Sequence, residues 1–146
     1  MELRTEIEIH APAAIVWRVL TDTAEYPKWN PLIAGISGDL NAGSQIEVAF
    51  YKGDGSHRLL RPVVQQVEPG RYLSWKGHLW IPGLYHGEHG FEIRPSPRGG
   101  IHFIHRAMFG GLLLPVLRHK LRAVTLPGFR AMNRMVKDRA ETMAMA

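Results

Sequence analysis

Eight histidines and no cysteine among 146 residues define what this chain can attempt. Imidazole acid–base work, ligation and hydrogen bonding are open to it, and thiolate chemistry and disulfides are not. The informative histidines come in two pairs, His86 with His89 in His-Gly-Glu-His and His102 with His105 in His-Phe-Ile-His. A three-residue spacing in a strand puts the members of each pair on opposite faces, and neither pair matches the His-Glu-x-x-His of a helical zinc site. No metal is therefore expected. The one arrangement able to take one joins His89 and His105 across neighbouring strands. Tyr85, Gly87, His89, Phe91 and Ile93 form the more apolar phase of their stretch, as do Ile101, Phe103, His105, Ala107 and Phe109 of theirs. If the two stretches are hairpin neighbours, His89 and His105 meet in an apolar interior where burial holds both rings neutral. They would then orient a carbonyl or phenol or move a proton, with Tyr85 as a third acid–base candidate. Equally, they would simply bond to each other, to backbone or to buried water.

Other catalytic apparatus is missing. Glu88 and Glu92 fall on the outward phase and position 107 is alanine, so no interior carboxylate pair exists. No Ser-His-Asp order, phosphate loop or nucleotide fingerprint is present, and no cofactor is expected. Aromatic side chains are more plentiful. Trp29, Phe50, Trp75, Tyr85, Phe91, Phe103 and Phe109 lie on several elements that should face one space. Met132 joins them from the helix, and Trp80 stands beside a Pro-Gly turn at the rim. Such a lining suits an apolar ligand, each Å² buried contributing about 25 cal/mol.

The elements that must position these residues read as follows. Leu3, Thr5, Ile7 and Ile9 alternate with charged residues as in a half-buried strand. Pro12 opens a short helix with Ala13, Val16, Trp17 and Leu20 on one face. A second short helix or turn ends at Pro31. Six strand-like stretches then run over Leu32–Gly38, Gln45–Lys52, Arg58–Val67, Arg71–Trp80, Leu84–Arg94 and Gly100–Phe109, joined by connections short enough for an antiparallel meander. A long amphipathic helix closes the chain. Its expected apolar arc holds Leu121, Val124, Gly128, Met132, Met135, Val136 and Met143, Arg139 is the misfit, and Pro127 should kink or interrupt it. The fold class is α+β, a curved antiparallel sheet around one helix, with a cavity where side chains fail to fill the curve.

The opening, Ile7-Glu-Ile9, Ala11 to Trp17, Leu20-Thr-Asp22 and Tyr26 to Pro31, resembles that of the START-like, helix-grip (SRPBCC) superfamily of polyketide cyclases/dehydrases and lipid-transport proteins. Leu73 to Gly77, His89-Gly-Phe91, His105 with Phe109-Gly-Gly111, and Gly128 to Asn133 extend the resemblance along nearly the whole chain. It implies a seven-stranded sheet gripping the last helix around an elongated hydrophobic pocket, and Tyr26, Trp29 and Pro31 at its base or edge. For function it implies a carrier of a hydrophobic small molecule first, a cyclase, aromatase or dehydratase second, and a co-chaperone-like interaction module third.

Length and composition fit a single soluble domain over residues 1–146, with 45% apolar and 21% charged residues. No signal-peptide pattern opens the chain and no apolar run approaches a membrane span, so a cytoplasmic location is expected. The net charge of +5 is uneven: eight basic and eleven acidic side chains precede Arg94, ten basic and two acidic follow from it. Without a nucleic-acid motif, no nucleic-acid partner is expected. Leu112 to Leu114 followed by Arg118, Lys120 and Arg122 predict instead a transient contact with anionic membrane. Gly110 to Pro115, Gly53-Asp-Gly55 and Ile81-Pro-Gly83 are the expected lids.

Overall fold

The computed structural model describes residues 1–52, 54–78 and 83–146. Trp80 and parts of two expected lids, Gly53 and Ile81-Pro82, lie outside the described residues. Strand β1 (Glu2–Ile9) leads into helix α1 (Ala13–Thr21), a 3-10 turn (Thr23–Glu25) and helix α2 (Tyr26–Trp29). Strands β2 (Ile33–Ser37), β3 (Glu47–Tyr51), β4 (His57–Leu60), β5 (Val63–Glu68), β6 (Tyr72–His78), β7 (His86–Pro95) and β8 (Ile101–Gly110) follow, then helix α3 (Leu114–Met145).

All pairings are antiparallel. One sheet runs β1-β8-β7-β6-β5 and a smaller one β2-β3-β4, and a single bridge from Gln45 to Val63 connects them. The expected strand over Arg58–Val67 is thus two, β4 and β5, belonging to different sheets. Pro62 lies at the break: it has no N–H for a ladder, so the chain changes sheet there. This raises the expected seven strands to eight among the described residues.

Helix α3 packs against β1, α1 and β8. It runs unbroken through Pro127, contrary to the expected interruption. Pro127 is solvent-exposed, so the carbonyl that loses its intrahelical donor can turn to water. The buried stripe also differs from the expected arc, being Phe129, Met132, Asn133, Val136 and Ala140, with Val124 and Met135 exposed. The arc shifts because its centre includes a polar residue, Asn133, which apolar counting skips. Arg139 does find a partner, its guanidinium standing 3.4 Å from Glu25.

Two close approaches fix the first half of α3. Leu112 and Leu113 donate backbone bonds to the carbonyls of Gly83 and Leu84. Gly111, at φ 110°, lies where a Cβ would come within 2.6 Å of the Leu84 carbonyl oxygen. At the other end, a Cβ on Gly128 would meet Leu32 at 2.8 Å. Between these anchors no side chain from Leu114 to Gly128 is fully buried. Beyond them, the helix carries the core.

Candidate functional site

The pairing of β7 with β8 sets Phe91 opposite His105 and His89 opposite Ala107. The two histidines are therefore diagonal neighbours on the inward face, within reach of long side chains. Their Nε2 atoms stand 2.6 Å apart. Phe129 of α3 stacks on the His105 ring at 3.8 Å and 9°, while Phe50, Trp75 and Phe91 surround His89 at 4.9–5.9 Å. His105 is fully buried, whereas His89 keeps 8% of its surface in solvent.

A chain of hydrogen bonds sets the tautomers. The Thr5 hydroxyl donates to the His105 backbone carbonyl at 3.0 Å, which leaves its oxygen to accept from the Asn133 amide at 2.8 Å. That turns the Asn133 oxygen toward His105, whose Nδ1–H donates to it at 2.8 Å. His105 Nε2 is then the unprotonated nitrogen and accepts from His89 Nε2–H. His89 Nδ1 is left with a lone pair. Burial pushes the pKa of His89 down to about 3, and burial with the neighbouring His89 drives that of His105 well below the usual imidazole value. Both rings are neutral near pH 7, and the site presents one hydrogen-bond acceptor at the edge of an aromatic wall.

The interior divides into two halves. In one, Phe91, Phe103, His105, Phe129, Met132 and Val136 are packed to near-zero exposure. In the other, the inward-facing Phe50, Tyr85 and Phe109 remain half-buried, with the unpacked span of α3 anchored across the same end. Tyr85 stacks on Phe109 at 6.1 Å rather than on either histidine, and burial pushes its phenol pKa up. Trp75 belongs to the aromatic wall. Trp29 is buried edge-on against Tyr26 at 5.2 Å, and its indole N–H, like the adjacent Asn30 amide, has no hydrogen-bond partner among the described residues. Two surface clefts, of about 520 and 330 Å³, open on the outer faces of the sheets and contain none of the expected site residues. Among the described residues no group of three His, Asp or Glu side chains is arranged so as to hold a metal ion. His102 points outward, as its phase requires, onto Glu8 at 2.8 Å and Glu6 at 3.0 Å.

Three residues of the site escaped sequence reasoning: Thr5, Phe129 and Asn133. The signal was a polar residue on an apolar phase, Thr5 between Leu3 and Ile7 and Asn133 between Phe129 and Val136.

The family model described as polyketide cyclase / dehydrase and lipid transport matches residues 1–141. The chain belongs to this family. Among curated proteins none matches this family member. Of solved structures, the di-domain ARO/CYC StfQ from the steffimycin biosynthetic pathway superposes with a TM-score of 0.79 at 18% identity, covering 99% of this chain and 52% of StfQ. The di-domain ARO/CYC BexL from the BE-7585A pathway gives 0.74 at 19% identity over 97% of this chain and 50% of BexL. The chain thus spans about half the length of each. Protein NE0264 from Nitrosomonas europaea gives 0.76 at 17% identity, covering 100% and 97%. At these identities the likeness is one of fold. No helix of this family member, among the described residues, is long and apolar enough to cross a membrane.

Proposed function

We propose that this chain binds and carries a hydrophobic small molecule in the unpacked half of the grip, between the first turns of α3 and the inward face of the sheet. One observation carries the reading: Leu114 to Gly128 bury no side chain fully, while Phe50, Tyr85 and Phe109 stay half-buried on the inward face. Apolar surface left open on an inward face gains about 25 cal/mol per Å² when a ligand covers it. His89 Nδ1 would accept one hydrogen bond from a ligand hydroxyl and set its orientation. The depressed His89 pKa favours binding over catalysis, because a general base works best when its pKa lies near the working pH.

A fluorescence titration with N-phenyl-1-naphthylamine, a neutral apolar probe, tests this. Wild-type protein should give blue-shifted, saturable emission. The double change Leu117→Asp with Leu121→Asp, on the half-buried side of α3, should weaken binding roughly tenfold with the circular dichroism unchanged. Equal binding by both proteins sinks the proposed location.

The second reading is a cyclase- or aromatase-type enzyme, favoured by the coupled imidazole pair and by the ARO/CYC neighbours. His89→Phe separates the two, since it abolishes proton transfer but leaves probe binding in place.

Delivery from a membrane fits the carrier reading. Leu112 and Val116 are 81% and 80% exposed beside Arg118, His119, Lys120 and Arg122. Co-sedimentation with liposomes should rise with phosphatidylglycerol content and fall with added salt. A bound fraction indifferent to anionic lipid removes the contact.

A further inference from the structure

Along β7 the inward face passes from the packed half of the interior to the open half. Ile93 and Phe91 are 5% and 0% exposed, His89 is 8% exposed, and Tyr85 is half-buried. The same step occurs on β8 between Ala107 and Phe109, and on β3 between Val48 and Phe50. His89 is the polar side chain at this boundary, its Nε2 turned to His105 on the packed side. The two nitrogens of an imidazole diverge, so Nδ1 turns away from that side. Among the described residues Nδ1 makes no hydrogen bond, yet it is not enclosed as the unpartnered Trp29 Nε1 and Asn30 Nδ2 are. Part of the surface that His89 keeps therefore lies at this nitrogen, with room for one more heavy atom against it.

What the nitrogen offers is decided on other elements. The Asn133 amide of α3 donates to Thr5 of β1 at 2.8 Å, and its oxygen accepts from His105 Nδ1–H at 2.8 Å. His105 Nε2 then accepts from His89 Nε2–H at 2.6 Å. The proton of each ring is committed to the bond behind it, and His89 is left with a lone pair and no donor in front. Thr5, Asn133 and His105 are 6%, 2% and 0% exposed, so water does not compete for these bonds.

We infer that Thr5 and Asn133 are specificity-determining residues acting through the histidine pair, and that the ligand they select is a hydrophobic alcohol or phenol donating its hydroxyl to His89 Nδ1. This rests on the binding reading above and deepens it by naming the ligand class and the residues that set it. A hydroxyl reproduces the bond that water makes to such a nitrogen. An ether or ketone oxygen of similar shape brings a second lone pair against it, and a hydrocarbon leaves it unsatisfied.

The experiment is displacement of N-phenyl-1-naphthylamine by 2-naphthol, by 2-methoxynaphthalene, which only accepts, and by 2-methylnaphthalene, which does neither. A ratio between two competitors cancels the affinity of the displaced probe. Wild-type protein should bind 2-naphthol about tenfold more tightly than 2-methoxynaphthalene. His89→Phe should bring that ratio close to one. Asn133→Asp should invert it. Its carboxylate draws a proton onto His105, both of whose nitrogens then donate, so His89 accepts at Nε2 and carries its own proton at Nδ1. An Asp variant that weakens all three compounds alike has lost only stability, and overturns the positioning role. If that variant does not fold, NMR of the wild-type ring nitrogens decides: a protonated Nε2 and a bare Nδ1 on His89 are expected, and the opposite tautomer overturns the assignment. Equal wild-type affinity for 2-naphthol and 2-methoxynaphthalene overturns the ligand class while the pocket stands. Failure of the naphthylamine itself to bind overturns the pocket, and with it this assignment.

Discussion

Asn133→Leu should lower the free energy of unfolding by about 2–4 kcal/mol, seen as a fall in the urea midpoint at constant slope. The substitution keeps the volume and even suits the apolar stripe of α3. It leaves the His105 Nδ1–H without an acceptor and the Thr5 hydroxyl oxygen without a donor, both in the buried interior. An unsatisfied buried polar group forfeits its full solvation, which exceeds what the original bond contributed. Replacing the whole device should be gentler than breaking it. His105→Leu alone leaves the His89 Nε2–H and the Asn133 side-chain oxygen without partners, so adding His89→Phe and Asn133→Leu should recover part of the loss, a non-additivity expected of residues in one network. A single Asn133→Leu variant within 0.5 kcal/mol of wild type would show that the network carries no stability.

The second large effect is sensitivity to acid. His89 and His105 are buried neutral, with folded pKa values below the unfolded value near 6.5. The unfolded chain therefore takes up protons that the folded chain refuses. Stability from this source is complete above pH 6.5 and is lost as pH falls below it, by about 1.4 kcal/mol per pH unit for each ring. For two rings over two units the loss approaches the whole stability of an ordinary domain, about 5–15 kcal/mol. Chemical unfolding followed from pH 7.5 to 4.5 should show a steep decline that the triple variant flattens. His102 acts with opposite sign. Hydrogen bonds that its ring donates to the Glu6 and Glu8 carboxylates raise its pKa, so its contribution is present at low pH and fades as pH rises through the raised value. Being partly exposed, it is the smaller term. In NMR spectra the His102 ring should titrate while the signals of the buried pair stay those of neutral imidazole down to pH 5.5. A stability curve level between pH 7 and 5 contradicts the assignment.

The meeting of His89 and His105 was legible in the sequence because two simple rules cooperate: a period of two selects the face, and adjacent strands bring equal phases together. Their partners were hidden for a reason in the same physics. Asn133 lies on the core-facing stripe of a helix, yet a count of apolar residues assigns it to water and rotates the stripe toward Val124 and Met135. Its bonds to His105 and Thr5 explain its burial, and contacts between residues 28 and 128 positions apart are invisible to local periodicity. Pro62 was visible, but its effect was not, since a proline inside a strand pattern marks either an edge or an exit, and here the chain exits to the second sheet. Pro127 does not interrupt the helix because the exposed carbonyl that loses its donor can turn to water. The open half of the interior had no sequence signature at all. Leu121 falls in the expected apolar arc, yet it stays half-buried in the span between the close approaches at Gly111 and Gly128.

That anchoring has an evolutionary consequence. Because the span between the two glycines supports none of the fully packed interior, substitutions at the exposed Arg118 and Arg122 are nearly free of stability cost, within about the half kcal/mol usual for surface positions, and those at the half-buried Leu117 and Leu121 cost less than core changes. On the proposed carrier reading, ligand preference can therefore drift by mutation in one half of α3 while the other half goes on holding the fold. A scaffold divided in this way can exchange one small molecule for another without first having to become more stable.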